Sequence, residues 1–178
     1  MKQITYGKAV YGKKEIQAVL RTLSKTTQMG KNVAKFENKI SKIFNKKYGI
    51  MTNSGSSALL ISLDALRLPK NSEVITPCLT FSTTVSAIIK NDLIPSFIDV
   101  KKDTLCIDED KIEKQITKNT SAILIPDLIG NIANWQKINK IAKKYNLKTI
   151  HDSADTLGAS INGKSTGLYS DISITSFY

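Results

Sequence analysis

Short apolar runs alternate with longer polar stretches in which apolar residues recur every three or four positions. The runs predict strands over Tyr48–Thr52, Glu73–Thr76, Ile94–Val100, Ser121–Pro126, Lys148–His151 and Ile172–Phe177. Between them the spacing predicts helices over Ser57–Leu66, Thr84–Lys90, Asp108–Ile116 and Ala133–Tyr145. Two more helices are expected earlier, Lys13–Leu23 and Val33–Phe44, the second with an apolar stripe of Val33, Phe36, Ile40 and Ile43. Asp108 reads as an N-cap, with Glu109 and Asp110 in the first turn where acids meet the positive end of the helix. Strand and helix in such close alternation predict an α/β fold, a three-layer α/β/α arrangement around a mostly parallel sheet. Ligands of such sheets sit beyond the carboxyl ends of the strands, so the loops that follow strands are where chemistry is expected. No repeat or Pro/Gly-rich linker marks a boundary, and residues 1–178 read as a single domain with 1–47 as its helical N-terminal segment.

Composition narrows the class of partner. The chain has 178 residues, enough for one α/β domain with a sizeable core, and a net charge of +11 from 26 basic and 15 acidic side chains. Only Arg21 and Arg67 are arginines, and the lysines are scattered along the chain. Nucleic-acid recognition favours the planar guanidinium, so the charge reads as a solvated surface that also attracts small anions. No apolar run is long enough to cross a bilayer, and Met1–Tyr6 lacks a signal core, which predicts a cytoplasmic protein with no membrane partner. Two cysteines, Cys78 and Cys106, make neither a disulfide framework nor a metal site.

Four loops carry candidate chemistry. Thr52-Asn53-Ser54-Gly55-Ser56-Ser57-Ala58-Leu59 runs from a strand into a helix; its small residues and helix-start amides suit a phosphate, and equally a plain Ser/Asn helix cap. Thr76-Pro77-Cys78-Leu79-Thr80-Phe81 places an aromatic where it could stack on a flat ring, or else enter the core. Ile150-His151-Asp152-Ser153-Ala154-Asp155 ends a strand with two carboxylates three apart, suited to holding positive charge on a ring nitrogen or to capping a turn. His151 is the only histidine, which makes a metal site improbable, and a lone strand histidine is more often structural. A Ser-His-Asp hydrolase ranks low: Gly-x-Ser-x-Gly is absent, and adjacent His151 and Asp152 point to opposite sides of a strand. The fourth segment, Asp171 to Tyr178, ends inside an apolar strand, which reads as a fragment of a longer chain.

Taken in order and spacing, these segments resemble the DegT/StrS group of pyridoxal-phosphate-dependent sugar aminotransferases, which are fold-type I enzymes. The resemblance rests on Ile16-Gln17-Ala18-Val19-Leu20, Lys35-Phe36-Glu37, the Asn53–Leu59 loop, Val74-Ile75-Thr76-Pro77, Phe97-Ile98-Asp99-Val100, Asp152-Ser153-Ala154-Asp155 and Ser176-Phe177-Tyr178. It implies that Gly55, Ser56 and Ser57 hold the phosphate of pyridoxal or pyridoxamine 5′-phosphate, that Phe81 stacks on its ring, that Asp152 pairs with the ring nitrogen, and that Ser176 also reaches the phosphate. It further implies amino transfer, usually from glutamate, to a keto group of a nucleotide-linked sugar by a homodimer.

Asp155 stands where most of these aminotransferases have a glutamine on the ring-hydroxyl side of the cofactor. With Thr83-Thr84-Val85, Gly130-Asn131, Leu157-Gly158 and the final Ser-Phe-Tyr, it resembles the 3-dehydratase branch, in which histidine replaces the Schiff-base lysine. A histidine can take a proton but cannot form the covalent link to the cofactor. A non-catalytic binding module is the reading from another class. The catalytic residue is expected just after Tyr178. Sequencing the source DNA past that codon is expected to give lysine for an aminotransferase or histidine for a dehydratase, whereas a stop codon favours the binding module.

Overall fold

Alternate residues of the central strands enter two separate cores. Ile75, Ile123 and Ile125 pack on one face with Ile107, Ile112, Trp135 and Ile138. Val74, Ala122, Leu124 and Ile150 pack on the other with Leu59, Leu63 and Ile88. Strands buried on both faces read as near-continuous apolar runs, which is the pattern seen in the sequence. The computed structural model describes residues 9–25 and 27–177. The readings that fall on Met1–Tyr6 and Tyr178 lie outside the described residues.

The chain divides into two compact units, Met1–Lys35 and Phe36–Tyr178. The first contains α1 (Lys13–Leu23), whose apolar stripe of Ile16, Val19, Leu20 and Leu23 is exposed. Helix α2 (Lys31–Ile43) begins there and runs into the second unit. The rest of the second unit runs α3 (Gly55–Leu66), β1 (Glu73–Pro77), α4 (Ser82–Lys90), β2 (Ile94–Ile98), α5 (Ile112–Gln115), β3 (Thr120–Pro126), α6 (Trp135–Lys144), β4 (Lys148–Asp152), the hairpin of β5 (Ser160–Ile161) and β6 (Lys164–Ser165), and β7 (Ile172–Ile174). Among the described residues, β2-β1-β3-β4-β7 form one sheet in that order, with every pairing parallel. Helices α3 and α4 cover one face and α5 and α6 the other, the three-layer arrangement expected. The chain passes from β1 outward to β2 and then returns to β3 on β1's other side, so the carboxyl edge carries a switch point where such sheets bind ligands.

Four expectations are corrected. Tyr48–Thr52 is no strand, because an extended segment needs a backbone partner: the Met51 amide donates instead to Glu37 Oε1 (2.8 Å). A groove of about 700 Å³ adjoins that segment and β7, lined by Phe36, Ile40, Tyr48, Met51, Ile172 and Phe177 among others. Asp108 caps no helix: its carboxylate accepts from the Asp110 amide (3.2 Å) in a local turn, and α5 starts only at Ile112. The last strand stops at Ile174, and β2 at Ile98.

Two anchors fix the segments that lead into the carboxyl edge. Lys46, its ammonium held low by burial, donates from Nζ to the Gly167 carbonyl (2.7 Å) and to the Ser170 carbonyl. Gly167 must be glycine there, since a Cβ would lie 2.1 Å from the Phe44 carbonyl oxygen. The second anchor is fully buried. Asp127 accepts from the Ala133 amide (2.9 Å), the Trp135 indole (3.1 Å to each oxygen) and His151 Nε2 (2.8 Å), binding the end of β3 to the start of α6 and to β4. Asp127→Ala strands three buried donors, and is expected to cost about 3–5 kcal/mol in urea unfolding, seen as a lower midpoint at unchanged slope.

Candidate functional site

Because β1, β3, β4 and β7 run in parallel, the residues that follow them gather at one edge. Alternation along β4 then separates two neighbours. His151 enters the core with Trp135, ring centroids 4.6 Å apart, whereas Asp152 lies on the face that carries α3 and α4. The amino termini of those helices hold the Gly55 and Phe81 loops. The fold thus brings Gly55, Phe81, Asp152 and Ser176 to one side of one edge, while Asp155 joins the loop after β3.

Ser54 is the N-cap of α3, with extended backbone and Oγ accepting from the Ser57 amide (3.1 Å). The Ala58 amide makes the first helical bond, to the Ser54 carbonyl (3.0 Å). The amides of Gly55 and Ser56, at the first two helical positions, have no carbonyl within the helix to bond, and they carry the positive end of its dipole. Ser57 has its amide engaged by the cap, and its hydroxyl accepts from Ser54 Oγ (3.1 Å). Gly55 faces Ser176: a Cβ at Gly55 would lie 3.0 Å from Ser176 Cβ and 3.2 Å from its Oγ. Any side chain at position 55 would fill this cradle. The helix-cap reading is therefore true of Ser54, and leaves the anion-binding capacity of Gly55 and Ser56 intact.

Phe81 occupies the N-cap position of α4 and is 68% exposed, so it is not the core residue that a lone phenylalanine usually is. Asp152 is only 6% exposed, and its carboxylate accepts from the Ala154 amide (3.1 Å). Burial pushes its carboxyl up to about 6, helped by Asp155 and Asp127 and opposed by the Ala154 bond and His151. Removing a carboxylate from water without a cation beside it has this effect, and a protonated ring nitrogen would reverse it. Its position is set by the strands: Asp152 pairs in register with Ile174, two residues before Ser176, and its carbonyl accepts from the Asp127 amide (2.9 Å). Asp155 is exposed, and its Oδ2 accepts from the Ile129 amide (3.0 Å). His151 has its Nδ1 buried without a partner, away from the edge.

A model of the DegT/DnrJ/EryC1/StrS aminotransferase family matches residues 10–178. The chain belongs to that family. Among curated relatives it is 38% identical to the lipopolysaccharide biosynthesis protein RfbH of Salmonella typhimurium over 178 residues, covering 95% of this chain and 41% of that protein. It is also 38% identical to the 3-oxo-glucose-6-phosphate:glutamate aminotransferase of Bacillus subtilis, covering 92% and 37%. Among solved structures, the GDP-4-keto-6-deoxy-D-mannose-3-dehydratase of E. coli with bound hydrated PLP superposes with a TM-score of 0.83 at 32% identity, covering 88% of this chain and 42% of that one. The chain spans about two-fifths of the length of the curated relatives it matches.

In this family member, the Ser/Asn cap reading of the Asn53–Leu59 loop holds at Ser54, whereas Asp127 as the buried anchor and the turn at Ile129 are absent from the sequence reading. Ser54 was legible, as a serine just before an apolar helical run. Asp127 and Ile129 had no local signal, since their roles depend on segments distant in sequence. Among the described residues no group of three or more His, Cys, Asp or Glu could hold a metal, and no helix is long and apolar enough to cross a membrane.

The raised Asp152 carboxyl sets a pH dependence. The folded chain keeps a proton that the unfolded chain releases, so this contribution to stability is full near pH 4 and is lost as pH rises through about 6. Relative to Asp152→Asn, the unliganded chain is expected to lose about 3 kcal/mol over that window, measured by urea unfolding at pH 4 and pH 7.

Proposed function

We propose that the chain is the cofactor-binding part of a pyridoxal- or pyridoxamine-phosphate-dependent enzyme acting on nucleotide-linked keto sugars, with residues 1–178 as part of its cofactor-binding large domain. The observation that carries this reading is Asp152, a buried carboxylate at a ligand-binding edge with no lysine or arginine paired to it among the described residues. Facing a protonated pyridine nitrogen, it would regain its charge and hold the ring electron-poor. When bound, the cofactor supplies the electron-withdrawing ring through which amino groups or sugar hydroxyls are moved.

The chain's own residues divide the binding between them. The Gly55 and Ser56 amides, with the hydroxyls of Ser56, Ser57 and Ser176, receive the phosphate at the start of α3. Phe81 covers one face of the ring, and Asp155 belongs to the rim beside Asp152. Amino transfer from glutamate, in the making of amino or deoxy sugars for polysaccharides, is the reaction we favour. The Bacillus subtilis aminotransferase, similar along 92% of this chain, supports it. Dehydration is the second reading, supported by Asp155 in place of glutamine and by the similarity to the E. coli 3-dehydratase. In either case the enzyme is a cytoplasmic homodimer whose catalytic lysine or histidine follows Tyr178, so the 178-residue chain binds cofactor with little turnover.

Asp152→Asn is expected to weaken pyridoxamine phosphate binding by at least about tenfold, whereas Asp92→Asn, at an exposed pair with Lys70 (2.9 Å), leaves it unchanged. Equal loss in both variants, by equilibrium dialysis, would remove Asp152 from the site. Gly55→Val is expected to weaken pyridoxamine phosphate binding and leave that of unphosphorylated pyridoxamine unaltered.

A further inference from the structure

Ile129 holds a backbone conformation that its side chain disfavours. Its φ of 50° and ψ of 31° lie in the left-handed region, where a β-branched residue is an outlier. Asn or Asp occupies most of the other positive-φ positions outside glycine, as their short polar side chains allow. Such strain persists only where the surroundings over-determine it. Here they do: the Ile129 amide donates to Asp155 Oδ2 (3.0 Å), the Asn131 amide donates to the Leu128 carbonyl (2.9 Å), and Asn131 Nδ2 donates to the Thr104 carbonyl (2.7 Å).

The position of this turn gives the strain a use. It directly follows Asp127, whose amide bonds the Asp152 carbonyl, and Pro126, the register partner of Asp152. Ile129 is 63% exposed there, a large apolar side chain in the loop that follows β3 at the carboxyl edge. A relaxed turn would have no reason to hold it so. Asp155 comes from the loop after β4, so its hydrogen bond joins the loops that follow β3 and β4 at the carboxyl edge.

We propose that Asp155 is a positioning residue: its carboxylate locks the Leu128–Gly130 turn and so sets Ile129 as an apolar wall of the ligand site next to Asp152. This rests on the cofactor reading above, and gives Asp155 a different task from the direct contact with the ring-hydroxyl side that the family resemblance implies. An apolar wall there excludes water from the pairing of Asp152 with a cationic ring, and charge pairing is stronger where water is excluded.

The test uses the 178-residue chain with pyridoxamine phosphate as probe, and amide exchange at Ile129 as a readout separate from binding. Asp155→Ala is expected to speed exchange at the Ile129 amide about tenfold, the scale of one lost charge-assisted hydrogen bond, while β4 amides stay protected. It should weaken pyridoxamine phosphate binding about fivefold, Ile129→Ala should do the same, and the double variant should be little worse than either single one. Asp155→Asn keeps an acceptor oxygen and should retain most of both signals. Unchanged Ile129 exchange in Asp155→Ala overturns the lock. Additive losses in the double variant, or an Asp155→Asn as weak as Asp155→Ala, overturn the positioning role in favour of direct contact. An unmodified chain that does not bind pyridoxamine phosphate overturns the cofactor assignment, and the ligand wall with it, even where exchange finds the lock intact.

Discussion

Asp127 takes hydrogen bonds from an amide, an indole and an imidazole while wholly withdrawn from water, and the arrangement of the carboxyl edge follows from this. Its oxygens join the end of β3 to the start of α6 and to the neighbouring strand β4. Its amide holds the carbonyl of Asp152. A buried carboxylate is tolerable only when it is thoroughly bonded, so the three elements cannot shift independently without exposing its charge to an apolar core. The depth at which Asp152 sits is therefore set from the opposite face of the sheet.

The two carboxylates illustrate how one strand environment serves two purposes. Asp127 is satisfied by the protein's own donors and belongs to the scaffold. Asp152, two strand faces away in effect though one residue from His151, has one amide donor and a carboxyl held up by burial. A site that binds a cation gains from such preorganisation, because the cost of burying the charge is met during folding rather than on binding. Around it stand a helix start with two amides outside the helix's own bonding, an exposed aromatic, and a strained turn. Each is a local departure from ideal structure, and they cluster at the one edge that parallel strands make available.

Much of this was legible in the residues. Strand–helix alternation gave the three layers, and the Gly55, Phe81, Asp152 and Ser176 segments were singled out before their arrangement was seen. The cap at Ser54 was among them, whereas the Asn162-Gly163 hairpin turn, with φ of 51° and 73°, carries a local Asn-Gly signal that the linear reading does not use. Other features had none. Nothing near Tyr48–Thr52 distinguishes an apolar run that finds a strand partner from one that does not, because the partner is elsewhere in the chain. Asp108 resembled a helix cap because a turn and a cap use the same side-chain acceptor.

The sequence by itself determined which segments could pair, which faces were apolar, and which residue types could meet a phosphorylated, cationic ring. Those properties depend on side-chain chemistry at short spacing, which a linear reading holds in full. Only the tertiary structure decided that His151 turns into the core while Asp152 turns toward α3 and α4, that Gly55 comes against Ser176, and that Asp155 reaches Ile129. These contacts join positions up to 121 residues apart in number, as with Gly55 and Ser176, and their geometry depends on strand register and helix placement summed over the whole sheet.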